Sequence, residues 1–172
     1  MSTPAKRHDG PVTAADMPAQ GPRLFDSAEQ LRALVGEELG TTRWVEITQE
    51  RIDLFARATG DYQWIHTDPE RASRESPYGG TIAHGYLTLG LTPALIAEVM
   101  GFRNLRMGVN YGLNKVRFNG PVPVGSRIRA RVSLVGVRQI AEAVRVVTQI
   151  RIEREGVAKP CCVAESVSLY YL

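Results

Sequence analysis

Cysteine is scarce in this chain of 172 residues, which contains only two, and histidine occurs only three times. Cys161 and Cys162 are adjacent, a spacing that suits neither a disulfide between them nor the disulfide framework of a small secreted protein. Two neighbouring thiols without a histidine cluster also make a poor metal site. The sequence therefore predicts buried or half-buried thiols in a strand, and no bound metal.

Long hydrophobic runs are absent as well. The most apolar stretch, residues 82–100, is interrupted by His84, Pro93 and Glu98, which indicates a buried helix rather than a membrane span. Residues 1–22 are broken by charges and hold four of the ten prolines, so they are predicted to form a flexible tail rather than a signal peptide. We expect a soluble, cytoplasmic protein with no membrane association.

The rest of the chain has the composition of one globular domain, predicted for residues 23–172, with 44% hydrophobic and 23% charged residues overall. The net charge of +3 is unevenly distributed. Residues 1–100 carry nine basic and fourteen acidic side chains, whereas residues 101–172 carry twelve basic and four acidic ones. Such a basic segment can attract nucleic acid, an anionic membrane or a ligand that bears phosphate groups.

Nucleic acid is not predicted as a partner. Arg127, Arg129 and Arg131 repeat at the two-residue period of a strand, and no aromatic side chain lies between them for base stacking. Polar residues at this period are typical of a solvated sheet face.

Several short helices are predicted in the first half of the chain. Asp26 and Glu29 have the spacing of a capping box, Thr48 can cap a second helix that ends at Gly60, and Asp68 precedes a proline at the first position of a third. Residues 83–100 are predicted to form the most buried helix, with a bend at Pro93.

The period of the pattern then changes to two. Residues 127–134 and 144–153 alternate between apolar and polar side chains and are predicted to be strands, connected by residues 136–142. Residues 105–118 and 162–171 supply further strands. The sequence therefore predicts an α+β fold in which an antiparallel sheet wraps over the apolar helix.

Asp61 and His66 form the polar pair with the clearest chemical potential. Histidine titrates near neutrality, and a carboxylate five residues away can help it to hold a water molecule. The spacing alone also fits a turn-capping Asp61 and a hydrogen-bonded core His66. Gly85 adds a second feature, since it lies at the start of the buried helix, where free N–H groups can stabilise an oxyanion.

Three ordered motifs resemble those of the MaoC-like dehydratases, a family that includes the (R)-specific enoyl-CoA hydratases, and the resemblance extends over roughly residues 24–172. They are Thr59-Gly-Asp-Tyr-Gln-Trp-Ile-His66, Thr81-Ile-Ala-His-Gly-Tyr86 and Val116-Arg-Phe-Asn-Gly-Pro-Val-Pro-Val-Gly125. Many family hydratases have Asn-Pro where this chain has Gln63-Trp64, a variant that is similar to the subgroup named after nodulation protein N. This departure affects substrate preference more than the acid–base pair.

The resemblance implies a hot-dog fold, with a long central helix starting near His84 and two sheets joined in a homodimer. It implies that Asp61 and His66 are catalytic, that the backbone N–H of Gly85 is the oxyanion donor, and that no cofactor is needed. The implied substrate is an enoyl thioester of CoA, or of acyl carrier protein, hydrated to the (R)-3-hydroxyacyl form. The residues expected to contact substrate are Trp64, His84 and Tyr86, with Lys115 and Arg117 as candidates for the CoA phosphates.

Two alternatives stay open at this point. Another hot-dog enzyme, a thioesterase, would hydrolyse the thioester instead of hydrating the alkene. A non-catalytic partner subunit would bind the acyl thioester without turning it over. The presence of both Asp61 and His66 favours the hydratase over each of them.

Overall fold

The computed structural model describes residues 21–172. Of the tail predicted for residues 1–22, only Gly21 and Pro22 are among the described residues; the rest of that prediction lies outside them. The elements are β1 Arg23–Phe25, α1 Ala28–Arg32, β2 Glu38–Thr41, β3 Val45–Glu46, α2 Gln49–Thr59, α3 Trp64–Thr67, α4 Pro69–Glu75, α5 Gly85–Gly90, α6 Thr92–Val99, β4 Met100–Phe102, β5 Met107–Phe118, β6 Arg127–Ile140, β7 Ala143–Arg154 and β8 Cys162–Tyr171.

An antiparallel sheet forms the larger layer of the molecule. Its strands follow the order β2, β6, β7, β8 and β5, with β3 also paired to β6, while β1 and β4 form a separate parallel pair. Side chains at alternate positions of β6 are buried, as the two-residue period predicts. Helix α6 packs against this buried face, and its Leu95, Ile96 and Val99 belong to the same hydrophobic cluster as Ile128 and Val132. The predicted α+β fold, with a sheet wrapped over the apolar helical segment, is confirmed.

The connection between β6 and β7 is shorter than predicted. Instead of a loop over residues 136–142, the strands continue to Ile140 and Ala143 and leave only Ala141 and Glu142 between them. A register shift between Leu134 and Gly136 and the exposure of the strand end weaken the alternation there. The alternation of apolar and polar residues therefore ends before strand β6 ends.

The predicted helix over residues 83–100 is divided into α5 and α6 at Leu91. Pro93 has no N–H to donate to the carbonyl of Leu89, and its ring crowds that carbonyl. The hydroxyl of Thr92 donates to the Leu89 carbonyl instead, at 2.8 Å. Pro93 thus interrupts the helix at Leu91, two residues before its own position. The predicted long central helix is therefore two short helices, α5 and α6.

Most of the predicted helix ends are confirmed. Thr48 caps α2, Gly60 ends it with a φ of +78°, and Asp68 caps α4. The first cap is one residue later than predicted, because Ser27 accepts the N–H of Gln30. The Gln30 side chain in turn accepts the N–H of Asp26 at 2.8 Å. Ser27 and Gln30 therefore make the side-chain bonds that the capping box predicted for Asp26 and Glu29.

The arginine-rich face of β6 is tied to acidic neighbours. Arg129 and Arg131 each lie 2.8 Å from a carboxylate oxygen of Glu153, and Arg131 also contacts Glu38 at 3.2 Å. The Arg129 guanidinium lies over the ring of Trp44, at 4.5 Å. Much of the basic charge on this strand is therefore neutralised locally.

Both thiols are buried, as predicted: Cys162 begins β8 and Cys161 precedes it. Burial raises the pKa of Cys161 and raises that of Cys162 to about 11.

Within residues 21–172, none of the helices has the length and apolar character required to cross a bilayer.

Two glycine substitutions are expected to change stability in opposite directions. Gly60→Ala should lower the free energy of unfolding by about 1 kcal/mol, because a Cβ meets open space there but the left-handed backbone disfavours it. Gly90→Ala should raise it by about 0.5–1 kcal/mol, because Gly90 is helical and also faces open space. Urea denaturation of both variants measures the difference, and equal effects of the same sign would contradict this account of α2 and α5.

Candidate active site

His66 lies in the short helix α3 with its side chain nearly buried, at 7% exposure. Its Nδ1 is 2.7 Å from the carbonyl oxygen of Ile82. A carbonyl only accepts hydrogen bonds, so this contact assigns the ring proton to Nδ1. The other ring nitrogen, Nε2, is then unprotonated and can accept a proton from a ligand.

Gln49 fixes the backbone of His66. The side-chain amide of Gln49 donates to the carbonyl oxygen of His66 at 2.7 Å, and its oxygen accepts the hydroxyl of Thr81 at 2.6 Å. The N–H of Ile82 also donates to the carbonyl of Ile65. Sequence analysis did not single out Gln49 or Thr81; only the place of Thr81 at the head of the second motif pointed to this segment. These bonds tie α2 and α3 to the segment that precedes α5.

Asp61 follows the left-handed turn at Gly60 and is exposed. One oxygen of its carboxylate accepts the N–H of Gln63 at 3.4 Å, in the short loop that leads into α3. Ligand atoms of Asp61, His66 and His84 all lie within 4.8 Å of one another. The structure therefore brings the predicted acid–base pair together and adds a second histidine beside it.

His84 is more deeply buried than His66, at 2% exposure. Its Nε2 lies 2.9 Å from the backbone carbonyl oxygen of Asp61 and must donate to it. Its ring stacks on that of His66, with centroids 3.8 Å apart and an interplanar angle of 28°. Sequence analysis placed His84 in contact with substrate, but the ring is packed behind His66 and does not line the cleft.

Asp61, His66 and His84 are also residue types that bind metal ions. Imidazole lone pairs lie in the plane of the ring, so two nearly parallel stacked rings direct them side by side rather than toward one ion. In addition, one nitrogen of each ring already bonds a backbone carbonyl. The arrangement suits proton transfer better than metal coordination.

A cleft of about 320 Å³ opens beside His66. His66, Gly85 and Phe118 contribute to its wall, together with Ala83, Thr88 and Val122. Gly85 is the first residue of α5, so its backbone N–H has no partner within the helix. A Cβ added at Gly85 would lie 3.3 Å from the Phe118 ring, so the absence of a side chain keeps this part of the cleft open.

The other residues predicted to contact substrate lie outside the wall of this cleft. Trp64 is half-buried beneath the guanidinium of Arg71, at 4.4 Å. Tyr86 is 70% exposed and meets the ring of Phe118 edge to face. Lys115 and Arg117 are exposed on β5 and line a separate groove of about 120 Å³.

The pKa of His66 lies below its ordinary value of 6.5. Burial is the main cause, and the neighbouring His84 adds to it, whereas the Ile82 carbonyl and Asp61 act in the opposite direction. His66 is therefore held in the neutral form that a general base requires.

The free energy of unfolding should report this pKa. Because the pKa of His66 is lower in the folded chain than in the unfolded chain, the unfolded chain binds a proton first as the pH falls. The stability that neutral His66 contributes is therefore complete above pH 6.5 and decreases as the pH drops below that value. We expect the stability difference between the native chain and His66→Gln to shrink as the pH falls. Urea denaturation from about pH 8 to about pH 5 measures it, and a constant difference would contradict the assignment.

Comparison with known proteins agrees with this architecture. Residues 30–155 match the family described as MaoC like domain. The chain is 52% identical over 149 residues to 3-hydroxyacyl-thioester dehydratase Z of Mycobacterium tuberculosis, covering 86% of this chain and 98% of that protein. It is 43% identical to nodulation protein N of Rhizobium meliloti, covering 83% of this chain and 90% of that protein.

Among solved structures, R-hydratase PhaJ1 from Pseudomonas aeruginosa shares the fold with a TM-score of 0.64, at 23% identity, covering 80% of this chain and 81% of that one. The fold is thus the hot-dog fold that the sequence motifs implied. With a family match over most of its length and relatives of this similarity, the chain belongs to the MaoC-like dehydratase family.

Proposed function

We propose that the chain catalyses the reversible addition of water to a trans-2-enoyl thioester, which gives the (R)-3-hydroxyacyl thioester. One observation carries the proposal: a neutral, unprotonated Nε2 of His66 beside Asp61, in a cleft whose wall also includes Gly85. The names of its relatives, a 3-hydroxyacyl-thioester dehydratase and a 3-hydroxybutyryl-CoA dehydratase, support the same reaction.

His66 acts as the base in the direction of hydration. Its Nε2 accepts a proton from water while the water oxygen bonds to C3 of the substrate. The imidazolium, stabilised by the Asp61 carboxylate, then gives that proton to C2, so that one water molecule is added overall. Asp61 also accepts a hydrogen bond from the second proton of the water and holds it in place.

Gly85 stabilises the charge that forms during the addition. Attack at C3 moves negative charge onto the thioester oxygen, and the free N–H of Gly85 can donate to that oxygen. The reaction adds the elements of water across a double bond and exchanges no electrons with a second molecule. We therefore propose that it uses no redox cofactor and no metal.

Lys115 and Arg117 are the proposed contacts for the phosphates of CoA. Neither has a carboxylate partner within ion-pair distance among residues 21–172, and both lie on strand β5, which ends at Phe118 in the wall of the cleft. A CoA thioester could therefore place its acyl group in the cleft and its phosphates on this side of β5. Acyl carrier protein, which carries the same thioester arm, is the alternative carrier.

A homodimer is part of the proposal. Strand β5 lies at the edge of the sheet, where its second edge has no strand partner among residues 21–172. Apolar side chains are exposed along it, namely Met107, Val109, Tyr111 and Leu113. Pairing of β5 with the same strand of a second copy would cover these side chains and join the two sheets.

The decisive experiment follows the absorbance of crotonyl-CoA and of longer trans-2-enoyl-CoA substrates, and identifies the product chirality with a stereospecific dehydrogenase. Asp61→Asn and His66→Gln should each lower kcat by about 100- to 10,000-fold, because each removes an acid–base group. Glu70→Gln, which changes an exposed carboxylate on α4, is the matched control and should retain activity.

The same assay separates the alternative functions. Release of free CoA without loss of the enoyl absorbance would indicate a thioesterase. Binding of acyl-CoA without turnover would indicate a partner subunit. Full activity in both site variants would refute the assignment of the acid–base pair.

The phosphate contact has its own test. Arg117→Glu should raise KM for CoA substrates by about fivefold and leave kcat unchanged, which corresponds to about 1 kcal/mol of binding. Arg138→Glu is the matched charge reversal, because Arg138 is also exposed but lies near the far end of β6. An equal effect of the two variants on KM would show only a general dependence on charge.

A further inference from the structure

His84 is a buried titratable residue for which the proposed reaction gives no role. Its Nε2 has a partner, but its Nδ1 is fully buried without a hydrogen-bond partner among residues 21–172. Burying an unpaired polar atom lowers stability, and an apolar side chain of similar size would avoid this cost. The presence of histidine here therefore calls for a function beyond packing.

The contacts of His84 reach both members of the acid–base pair. Nε2 donates to the backbone carbonyl of Asp61 across 23 positions of sequence, and the ring face lies on the ring of His66. Phe55 of α2 packs against the same imidazole, with ring centroids 4.9 Å apart. His84 is thus fixed in place by Phe55, and it contacts Asp61 and His66 at the same time.

The unpaired Nδ1 makes this arrangement specific to one tautomer. Moving the proton from Nε2 to Nδ1 would break the bond to Asp61 and create an N–H with no acceptor. The Nε2–H tautomer is therefore the one that these surroundings fit.

We propose that His84 is a positioning residue for the hydration reaction: its hydrogen bond holds the Asp61 loop, and its ring orients His66. This inference rests on the proposed function for its catalytic consequence. Its structural content, the influence of His84 on His66, can be measured without any turnover.

The groups around the histidine pair define the electrostatics. His66 faces the Asp61 carboxylate from the loop after α2, the Ile82 carbonyl from the segment before α5, and His84. His84 faces the Asp61 carbonyl, His66 and the uncharged ring of Phe55. After burial, His84 is the group that lowers the pKa of His66, so its removal should let His66 bind a proton at higher pH.

Two variants separate the two contacts. His84→Phe keeps a ring against His66 and Phe55 but loses the donor to Asp61, whereas His84→Gln keeps an amide N–H donor and loses the ring. We expect kcat to fall about 10- to 100-fold in His84→Phe with little change in KM, and to recover in part in His84→Gln. In both, the acidic limb of the profile of kcat/KM against pH should move to higher pH.

Leu87→Ala is the structural control, since Leu87 lies in α5, just after His84, and belongs to the hydrophobic core. It should lower stability and leave the acidic limb in place. If His84→Phe loses activity only as much as its folded fraction falls, with an unmoved limb, His84 is a packing residue and the proposal is wrong.

NMR titration of the His66 imidazole provides the readout that does not depend on turnover. Its midpoint should lie at higher pH in His84→Phe than in the native chain. An unchanged midpoint overturns the proposed influence of His84, whatever the activity assay gives. A chain that shows the shift but hydrates no enoyl thioester would instead refute the proposed function and leave the coupling of the two rings intact.

Discussion

The hydrogen bond from His66 to the carbonyl of Ile82, at 2.7 Å, connects the chemistry of this protein to its fold. The bond sets the tautomer of the ring, and the tautomer decides which nitrogen is available to a ligand. The carbonyl belongs to the segment that enters α5, and the ring belongs to a short helix well before it in sequence. Any movement between these segments would therefore change the protonation of the site as well as its shape.

The surrounding structure restrains that movement. The segment before α5 is bonded on one side to Ile65 and on the other to Val122, and Gln49 anchors His66 from α2. The buried face of the sheet supports the helices behind them. A site made of short helices and loops thus becomes rigid through bonds between segments far apart in sequence, because no single element is long enough to position it alone.

The sequence predicted the sheet well because its long strands alternate strictly, as in residues 127–134. The family motifs also pointed to Asp61, His66 and Gly85; the structure brings Asp61 close to His66 and places His66 and Gly85 in the wall of one cleft. The contacts of His84 and Gln49 were not predictable from these patterns. Each depends on a hydrogen bond to a backbone carbonyl elsewhere in the chain, and neither residue periodicity nor spacing encodes such a bond. The break at Leu91 was misplaced because the effect of Pro93 falls on the preceding turn.

The free edge of strand β5 is selective for the strands that can pair with it. Its twelve residues leave backbone N–H and carbonyl groups along one edge that water can satisfy one at a time. Another strand would satisfy them together, but only in a single register, because a shift by one residue would exchange the side chains of the two faces. The backbone hydrogen bonds of this edge therefore favour a partner strand whose apolar and polar side chains alternate in the matching register. This selection does not depend on any particular pair of side chains.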